Sequence, residues 1–444
     1  MADRGDAAGA QRGSQSGATS YSVACSGVAA SPFAPFRHRA FLLVWIGALV
    51  SNVGTWMETT ALSFYVADTS NVRASGLVAA AGFLPTALLS PVGGAFADRF
   101  DRRRLMIIAN MVSAFVAAAV AVLVTSGHAT PGRLALFSLL GGCAGAIGFP
   151  AFQATLPDLV PPEDLVGAIG LSSTQWNLGR ILGPTAAAVA IAIGGVPAAL
   201  WVNAASFLAV VVAVQFARIP ARIGVRRSVL QAARDGVHFA RSTPAVRAML
   251  PIMAFTVLVA APFLGFVAQM ATNVLGRAQG GTSALVTAQG FGAVAAGAAM
   301  GVLSARHGVR TVMTGSVLLL APSLVLYGLA PSIWFAAAAL VLTGGCYMAA
   351  LSSFTSITQQ SASAEVRGRA MMVNNFLLGA AYPLGLLVQG AMADRWSLRA
   401  VTVGSGVVLA VGALALRLVR PMHTAPIDAL ALPVAEPARS PGPI

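Results

Sequence analysis

Apolar runs of about 20 residues recur along the chain, separated by short polar stretches, and they predict helices that cross a membrane. A helix of that length spans the roughly 30 Å hydrocarbon core of a bilayer. The runs do not alternate polar and apolar residues at every second position, as the strands of an outer-membrane barrel would. The predicted spans cover residues 40–66, 74–97, 105–126, 134–155, 166–194, 196–217, 248–273, 283–304, 311–329, 332–358, 370–393 and 400–418.

The polar stretches divide the chain into five predicted parts around these twelve spans. We expect an all-α polytopic membrane protein in which twelve transmembrane helices form two pseudo-symmetric six-helix halves. The leader and the tail are rich in small residues or proline, and we expect both to be disordered. The parts are a cytoplasmic leader (1–36), an N-terminal half (37–217), a basic cytoplasmic linker (218–246), a C-terminal half (247–419) and a Pro-rich tail (420–444).

Composition and charge agree with a membrane protein and exclude several other classes. The chain is 57% hydrophobic and 9% charged, with a mean hydropathy of +0.78, which leaves too little charge for a soluble surface. The net charge of +14 is the excess of 28 basic residues, all of them arginine, over 14 acidic ones. With the N-terminus inside, nineteen arginines lie in or beside cytoplasmic loops and five in outer loops, so we expect both termini in the cytoplasm and a multi-pass protein of the inner (plasma) membrane.

The same asymmetry explains the positive charge without nucleic acid, which we do not expect as a partner. The chain has no lysine and therefore no phosphate-binding loop of the G-x4-G-K-[ST] type. Its three cysteines show no metal-ligand spacing, and no arrangement of a nucleophile with a base appears. We therefore expect no enzyme activity, no cofactor and no metal site.

Three short segments repeat along the chain. GGCAGA at 141–146 returns as GGCYMA at 344–349, and GAFADRFDRR at 94–103 aligns with GVLSARHGVR at 301–310. The two offsets, 203 and 207 residues, are nearly equal, which indicates duplicated six-span halves. A third copy, GAMADRWSLR at 390–399, ends the eleventh predicted span and would face the opposite side of the membrane, as in an inverted repeat.

These motifs resemble the major facilitator superfamily, over about residues 36–420. GAFADRFDRR resembles the signature G-x-x-x-D-R-x-G-R-R of the loop between the second and third spans. The DRFDRR form is similar to the branch that contains the enterobactin exporter and bacterial secretion and drug-efflux proteins. The signature is supplied by Gly94, Asp98, Arg99, Arg102 and Arg103, with Asp101 where the family has glycine.

A second motif, in the fifth span, resembles the exporter signature G-x8-G-x3-G-P and implies export. It is supplied by Gly170, Gly179, Gly183 and Pro184, and two alanines, Ala187 and Ala188, replace the family's last two glycines. We expect these small residues to allow close helix packing.

The resemblance implies a gate that involves Asp98. A carboxylate at a helix end can accept hydrogen bonds from the N-terminus of a facing helix, here the start of the eleventh span near Arg369. Glu365, Arg367 and Arg369 lie beside that start and would pair with Asp101 or Arg102 when the cytoplasmic side is closed. The simpler interpretation is that the arginines only hold the loop at the membrane surface.

Glu58 and Arg180 are ionisable residues inside predicted spans, and charges there are costly. They lie at similar depths, so they could form a static ion pair, Glu58 could couple a proton to transport, or either could contact substrate. The first span also carries a polar stripe, which is interpreted as either a cavity lining or interhelical hydrogen bonding. The candidates for the cavity are Asn52, Thr55, Thr59, Gln153, Gln175, Trp176, Asn177, Gln269, Asn273, Gln289, Tyr347, Asn374 and Asn375.

Together these features predict a secondary active transporter that exports a small amphipathic molecule, such as a drug, siderophore or secondary metabolite. We expect alternating access with proton antiport, in a monomer whose partners are its substrate, protons and the bilayer. One alternative is a nutrient importer or uniporter on the same fold, against which the fifth-span motif speaks. The other is a non-transporting receptor or interaction protein, which a dry, filled central cavity would favour.

Overall fold

The computed structural model describes residues 31, 33–217, 219, 229–277, 279–363 and 367–419, and they are helical almost throughout. The predicted leader and tail lie almost entirely outside the described residues. The helices are α1 (Arg39–Thr69), α2 (Val72–Arg99), α3 (Arg102–Thr125), α4 (Pro131–Leu159), α5 (Leu165–Phe216), α6 (Val229–Ser242), α7 (Pro244–Val259), α8 (Phe263–Gln269), α9 (Gln279–His307), α10 (Val309–Gly328), α11 (Ile333–Ser361), α12 (Arg367–Arg395) and α13 (Leu398–Val419).

Several helices begin at the capping residues that the sequence supplies. The side chain of Asn71 accepts from the backbone N–H of Ala74 at 2.9 Å and caps α2. Thr130 caps α4, whose first position is Pro131, and Ser332 caps α11. Such side chains satisfy the free N–H groups of the first turn, which fixes where each helix starts.

Two helical segments are interrupted. In α5 the backbone leaves helical geometry at Gly194 and Gly195, and the positive φ of Gly195, 71°, turns the chain back. Between α7 and α8, Pro262 cannot continue the hydrogen-bond ladder. A π-helical turn, Met270–Val274, follows α8.

Among the described residues, ten helical segments are long and apolar enough to cross a membrane. One of them, 162–216, contains the turn at Gly195 and covers both the fifth and the sixth predicted spans. Every predicted span overlaps one of the helices. The predicted linker also contains a helix, α6. We call the helices before it, α1 to α5, the first group and the helices after it, α7 to α13, the second group.

Glycines bring α1 into close contact with both parts of α5. A methyl group at Gly183 would lie 2.9 Å from the carbonyl carbon of Trp56, and one at Gly179 would lie 3.1 Å from Cβ of Asn52. On the other side of α1, a methyl group at Gly47 would lie 2.7 Å from Cβ of Ala213. Such close approach maximises van der Waals packing, which is a main attraction between helices in lipid.

Two glycines of the fifth-span motif, Gly179 and Gly183, pack closely against α1 as the sequence predicts. The third, Gly170, does not make the expected close contact. A methyl group at Gly170 would meet no described atom within 4 Å, because Gly170 lies on an exposed face of α5. The opposite face of this end still contacts α1, where the indole N–H of Trp45 donates to the Leu171 carbonyl at 2.9 Å. Pro184 is buried within continuous helix, and the break in α5 falls ten residues later.

The helices before and after the linker meet mainly where α2 packs along α12. Gly76 lies against the carbonyl of Leu386, and Phe83 makes an edge-to-face contact with Tyr382 at 5.0 Å. Positions that rise along α2 meet positions that fall along α12, so the two helices are antiparallel. The end of α2 beside the α1–α2 loop therefore meets the C-terminal end of α12.

We predict that Gly183→Ala destabilises the protein by about 1–3 kcal/mol, because the added methyl group meets the backbone of α1, which cannot move aside. Thermal unfolding in detergent, followed by tryptophan fluorescence, measures the change. Gly170→Ala is the matched control from the same motif and should lose no stability, since its methyl group enters open space. Equal losses for both variants would contradict the packing assigned to Gly183.

Candidate functional site

Glu58 of α1 is partly buried and is held by an amide of α5. Its Oε2 accepts a hydrogen bond from Nδ2 of Asn203, which is fully buried. Asn203 is itself fixed by Ser206, whose hydroxyl donates to the Asn203 carbonyl oxygen at 2.7 Å. The absence of a side chain at Gly54, one turn before Glu58, makes room for this amide.

Arg180 does not pair with Glu58, so the static ion pair considered from the sequence is not formed between these two described residues. The guanidinium of Arg180 instead donates to Oδ1 of Asn177 at 3.4 Å, one turn earlier in α5. Its Nε is buried and finds no partner among the described residues. Tyr347 of α11 lies close enough to Arg180 for an electrostatic interaction. Glu58 and Arg180 are thus each bonded to an amide rather than to an opposite charge.

Aromatic rings pack on one another in both groups of helices, and Trp56 and Trp176 lie within four residues of Glu58 and Arg180 along the chain. Trp56 of α1 packs edge-to-face on Trp176 of α5 at 6.2 Å, and Phe149 of α4 packs on the same Trp176 at 5.7 Å. From the other group, Tyr347 makes an edge contact with Phe263 at 5.9 Å. Trp176, one turn before Arg180 in α5, is therefore the ring on which Trp56 and Phe149 both pack.

The remaining polar candidates of the first group divide between packing positions and exposed ones. Asn52 is buried beneath Gly179, with Nδ2 unpaired among the described residues, and Gln175 is also buried. Thr55 and Thr59 are exposed, and each hydroxyl donates to the carbonyl one turn earlier. Gln153 is exposed on α4.

In the second group, Gln289 and Asn374 are buried between helices. Oδ1 of Asn374 accepts a hydrogen bond from the Thr358 hydroxyl at 3.2 Å, which joins α12 to α11. The backbone carbonyl of Gln289, in α9, packs against Gly344 of α11. For these two residues interhelical packing replaces the expected cavity lining, because the neighbouring helix covers them. Asn375 is exposed and remains available.

Gln269 and Asn273 form a contact between the two groups of helices rather than a free lining. Gln269 is fully buried, and its Nε2 donates to the Ser75 hydroxyl of α2 at 2.9 Å. Asn273, in the π-helical turn, donates to the carbonyl of Ala67 near the end of α1 at 3.3 Å. Both bonds lie beside the α1–α2 loop, so they close this end of the molecule, which we call the α1–α2 end.

At the opposite end, the α2–α3 end, the charged motif is tied to its own group of helices. Asp101 caps α3 by accepting from the N–H of Arg103 at 2.8 Å, and Arg102 forms an ion pair with Asp158 of α4 at 2.8 Å. Arg103 donates to the side chain of Gln215 at 2.6 Å. Asp101 suits the position where the family has glycine because an aspartate is a strong N-cap.

The pairing expected across the groups for Asp101, Arg102 and Arg369 is not formed in this conformation, and for the conformation in which this end is closed it stays a prediction. Arg369 pairs with Asp235 of α6 at 2.7 Å, so the start of α12 is tied to the linker helix. Arg99 is exposed and lies 5.9 Å from the ring of Phe100. Glu365 and the side chains of Asp98 and Arg367 lie outside the described residues.

Comparison with known proteins decides the family. A family model described as a transmembrane secretion effector matches residues 30–437. The chain belongs to this family of the major facilitator superfamily. It is therefore a multi-pass membrane transporter and not an enzyme.

Efflux proteins are among the relatives of this transporter. Macrolide efflux protein A of Streptococcus pyogenes is 23% identical over 80% of this chain and 89% of its own. The multidrug efflux pump Tap of Mycolicibacterium fortuitum is 25% identical over 82% of this chain and 91% of its own.

Solved structures agree on the fold of the transporter. A point mutant of the nucleoside transporter NupG superposes with a TM-score of 0.72 at 14% identity, over 85% of this chain and 99% of its own. A bacterial homologue of the lysosomal transporter Spinster, inward-facing and unoccupied, gives 0.70 at 16% identity, over 90% and 99%.

Asn203 is the residue of this site that the sequence analysis missed. The available signal was a single amide within the apolar segment ALWVNAASFLAV at 199–210. An unpaired amide is costly in lipid, so such a residue needs a partner on a facing helix. The sequence did not identify that partner as Glu58.

We predict that Asn203→Leu destabilises the transporter by about 1.5–3 kcal/mol, because Glu58 loses its hydrogen-bond donor. A double-mutant cycle with Glu58→Ala, which removes the acceptor, isolates the pair when it is measured by thermal unfolding in detergent. Asn375→Leu, which replaces an exposed amide, is the control and should show no coupling to Glu58. Additive effects of Asn203→Leu and Glu58→Ala would refute the assigned bond.

Proposed function

We propose that this transporter exports small amphipathic molecules from the cell by alternating access, in exchange for protons. The observation that carries this proposal is the centre at Glu58 and Arg180, where two embedded charges are bonded to amides instead of to each other. A static pair would leave neither group free to bind substrate or a proton. Charges kept apart at such a cost inside a membrane are typically functional.

We infer twelve membrane-spanning helices in two halves of six. The long α5 supplies two spans joined at Gly195, and α2, with 28 residues, is long enough to be a further span. The seventh span combines α7, α8 and the π-helical turn. The distribution of arginine supports cytoplasmic termini in the inner membrane, which places the α1–α2 end outside and the α2–α3 end inside.

The relatives and the rings of the site support an amphipathic substrate. The names of two relatives specify macrolide and multidrug efflux, and a third is a staphyloferrin A transporter of Staphylococcus aureus, 33% identical over 33% of this chain and 37% of its own. Trp176 is 44% exposed, so its ring offers an apolar face to a ligand. Flat apolar surfaces with few polar groups suit drugs, siderophores or secondary metabolites.

Glu58 is the proposed proton carrier. The Asn203 side chain contains both a donor and an acceptor, so after a rotation it can bond either the ionised or the protonated carboxyl group. Protonation removes the charge of Glu58. The free-energy cost of moving this side chain between exposure to one side of the membrane and exposure to the other is then lower. A Na⁺, Li⁺, K⁺/H⁺ antiporter of Planococcus maritimus is 24% identical over 34% of this chain and 36% of its own, which supports antiport.

We predict that Glu58→Gln abolishes uphill efflux but preserves downhill substrate exchange. If one charge-carrying proton enters per cycle, its loss forfeits about 2.3 kcal/mol per 100 mV, or roughly a 50-fold gradient of a neutral substrate. Inverted vesicles from an efflux-deficient host, first screened with macrolides, other drugs and siderophores, provide the measurement.

Glu163→Gln, at the exposed turn between α4 and α5, is the matched control and should transport normally. If Glu58→Gln still builds a gradient of wild-type size, Glu58 is not the proton carrier. If the wild-type protein moves its substrate out of inverted vesicles, in the direction of import, the proposal of export fails.

A further inference from the structure

The sequence of α2 is repeated in α12 around one carboxylate. GAFADR at 94–99 ends α2, and GAMADR at 390–395 ends α12. Asp98 and Asp394 are 296 residues apart, and so are Arg73 and Arg369 in the first turns of the same helices. The two antiparallel helices are thus related end for end, and each carries an Asp-Arg pair at the end that points towards the start of the other.

At the α1–α2 end this relationship produces a direct contact. The backbone N–H of Arg73, in the first turn of α2, donates to Oδ1 of Asp394 at 3.3 Å. The N–H groups of a first helical turn lack partners within the helix and carry partial positive charge, so a carboxylate is favoured there. Asp394 therefore joins the end of one helix to the beginning of the other.

The glycines of the two copies show that the ends differ. A methyl group at Gly390 would lie 3.3 Å from Cα of Arg73, and one at Gly76 would lie 2.7 Å from the carbonyl oxygen of Leu386. At Gly94, the counterpart of Gly390, a methyl group would meet no described atom within 4 Å. Among the described atoms, the glycine of this motif is in close contact at the α1–α2 end and has no such contact at the α2–α3 end.

We propose that Asp394 is a gate residue, which holds the α1–α2 end closed in this conformation and releases it when the transporter changes its exposure. The bonds from Gln269 and Asn273 to the α1–α2 region close the same end. Asp394 would thus be the counterpart of Asp98, for which the family resemblance implies a bond to the N–H groups near Arg369 when the other end closes. This inference rests on the alternating access proposed above. It assigns Asp394 to a gate at the α1–α2 end, whereas the gate expected at Asp98 is at the α2–α3 end.

A static role for Asp394 would be to cap α2 in every conformation. The two roles differ in what happens when the bond is removed, because a cap affects stability alone whereas a gate changes the balance between conformations. The donor and the acceptor can each be removed separately. Asp394→Ala removes the acceptor, and Arg73→Pro removes the N–H at a position in the first helical turn where proline is tolerated.

The test measures distances between spin labels by double electron–electron resonance, in protein whose three cysteines are replaced by serine. Labels at Ser126 and Trp334, both exposed, report on the α1–α2 end. Labels at Glu163 and His307, also exposed, report on the α2–α3 end. No substrate is needed, so the result does not depend on whether the protein exports, and a failure of either proposal can be recognised by itself.

We expect Asp394→Ala and Arg73→Pro to lengthen the distance between Ser126 and Trp334 and to shorten that between Glu163 and His307. The ratio of open to closed molecules at the α1–α2 end should rise roughly two- to fivefold, as for an exposed charge at a helix terminus. Arg73→Ala keeps the N–H and should resemble the wild type. Asp68→Ala removes an exposed carboxylate at the same end and should also have no effect.

The proposal is overturned if neither Asp394→Ala nor Arg73→Pro changes the distances, or if the controls change them equally. A shift in Asp394→Ala without one in Arg73→Pro also contradicts the bond to the Arg73 N–H. Size-exclusion chromatography checks that each variant is folded. Asp394→Asn, which keeps an oxygen acceptor but loses the charge, provides a milder variant and should give a smaller shift.

Discussion

The close contact of α1 with both parts of α5 is the constraint on which the site depends. Lipid tails are as apolar as leucine, so apolar side chains gain little by leaving lipid for a neighbouring helix, and packing must come from the close approach of backbones. Gly179 and Gly183 provide that approach on one side of α1, and Gly47 and Gly54 provide it on the other. The approach at Gly54 brings Asn203 within reach of Glu58. A methyl group at Gly54 would occupy the place of this amide, so packing and the polar site cannot be separated.

Ion pairs near helix ends contrast with the embedded charges, which are bonded to amides. Arg102 with Asp158 and Arg369 with Asp235 connect helix ends at the α2–α3 end of the molecule. Within the spans, Glu58 relies on an amide donor, which holds the carboxylate without cancelling its charge. The distribution separates charges that are paired near helix ends from the embedded charges to which we assign a role in transport.

The sequence predicts the helical segments well, because an apolar run must be long enough to cross a bilayer and because glycine, proline and capping residues mark its ends. It predicts side-chain partners poorly. Gln269 and Asn374 are cavity candidates on their polarity alone, yet the first bonds to α2 and the second to α11. Hydropathy identifies a polar residue in a span but not the helix that it faces. The same limit concealed Asn203 and made Arg180 look like the partner of Glu58.

The charged motif after α2 combines two functions that its spacing alone does not separate. Arg102 and Arg103 bond to Asp158 and Gln215, and Asp101 starts α3, so these three motif residues build one group of helices. In this conformation the bonds of Arg102 and Arg103 thus stay within their own group of helices, which leaves Asp98 as the motif residue to which we assign the proposed gate at this end. GAMADR at 390–395 carries the aspartate and the first arginine but continues as Trp-Ser-Leu-Arg instead of the arginine cluster. The two copies share a glycine, two alanines and the Asp-Arg pair at the helix end, and the carboxylate of that pair is the part of the motif that the proposed gate uses.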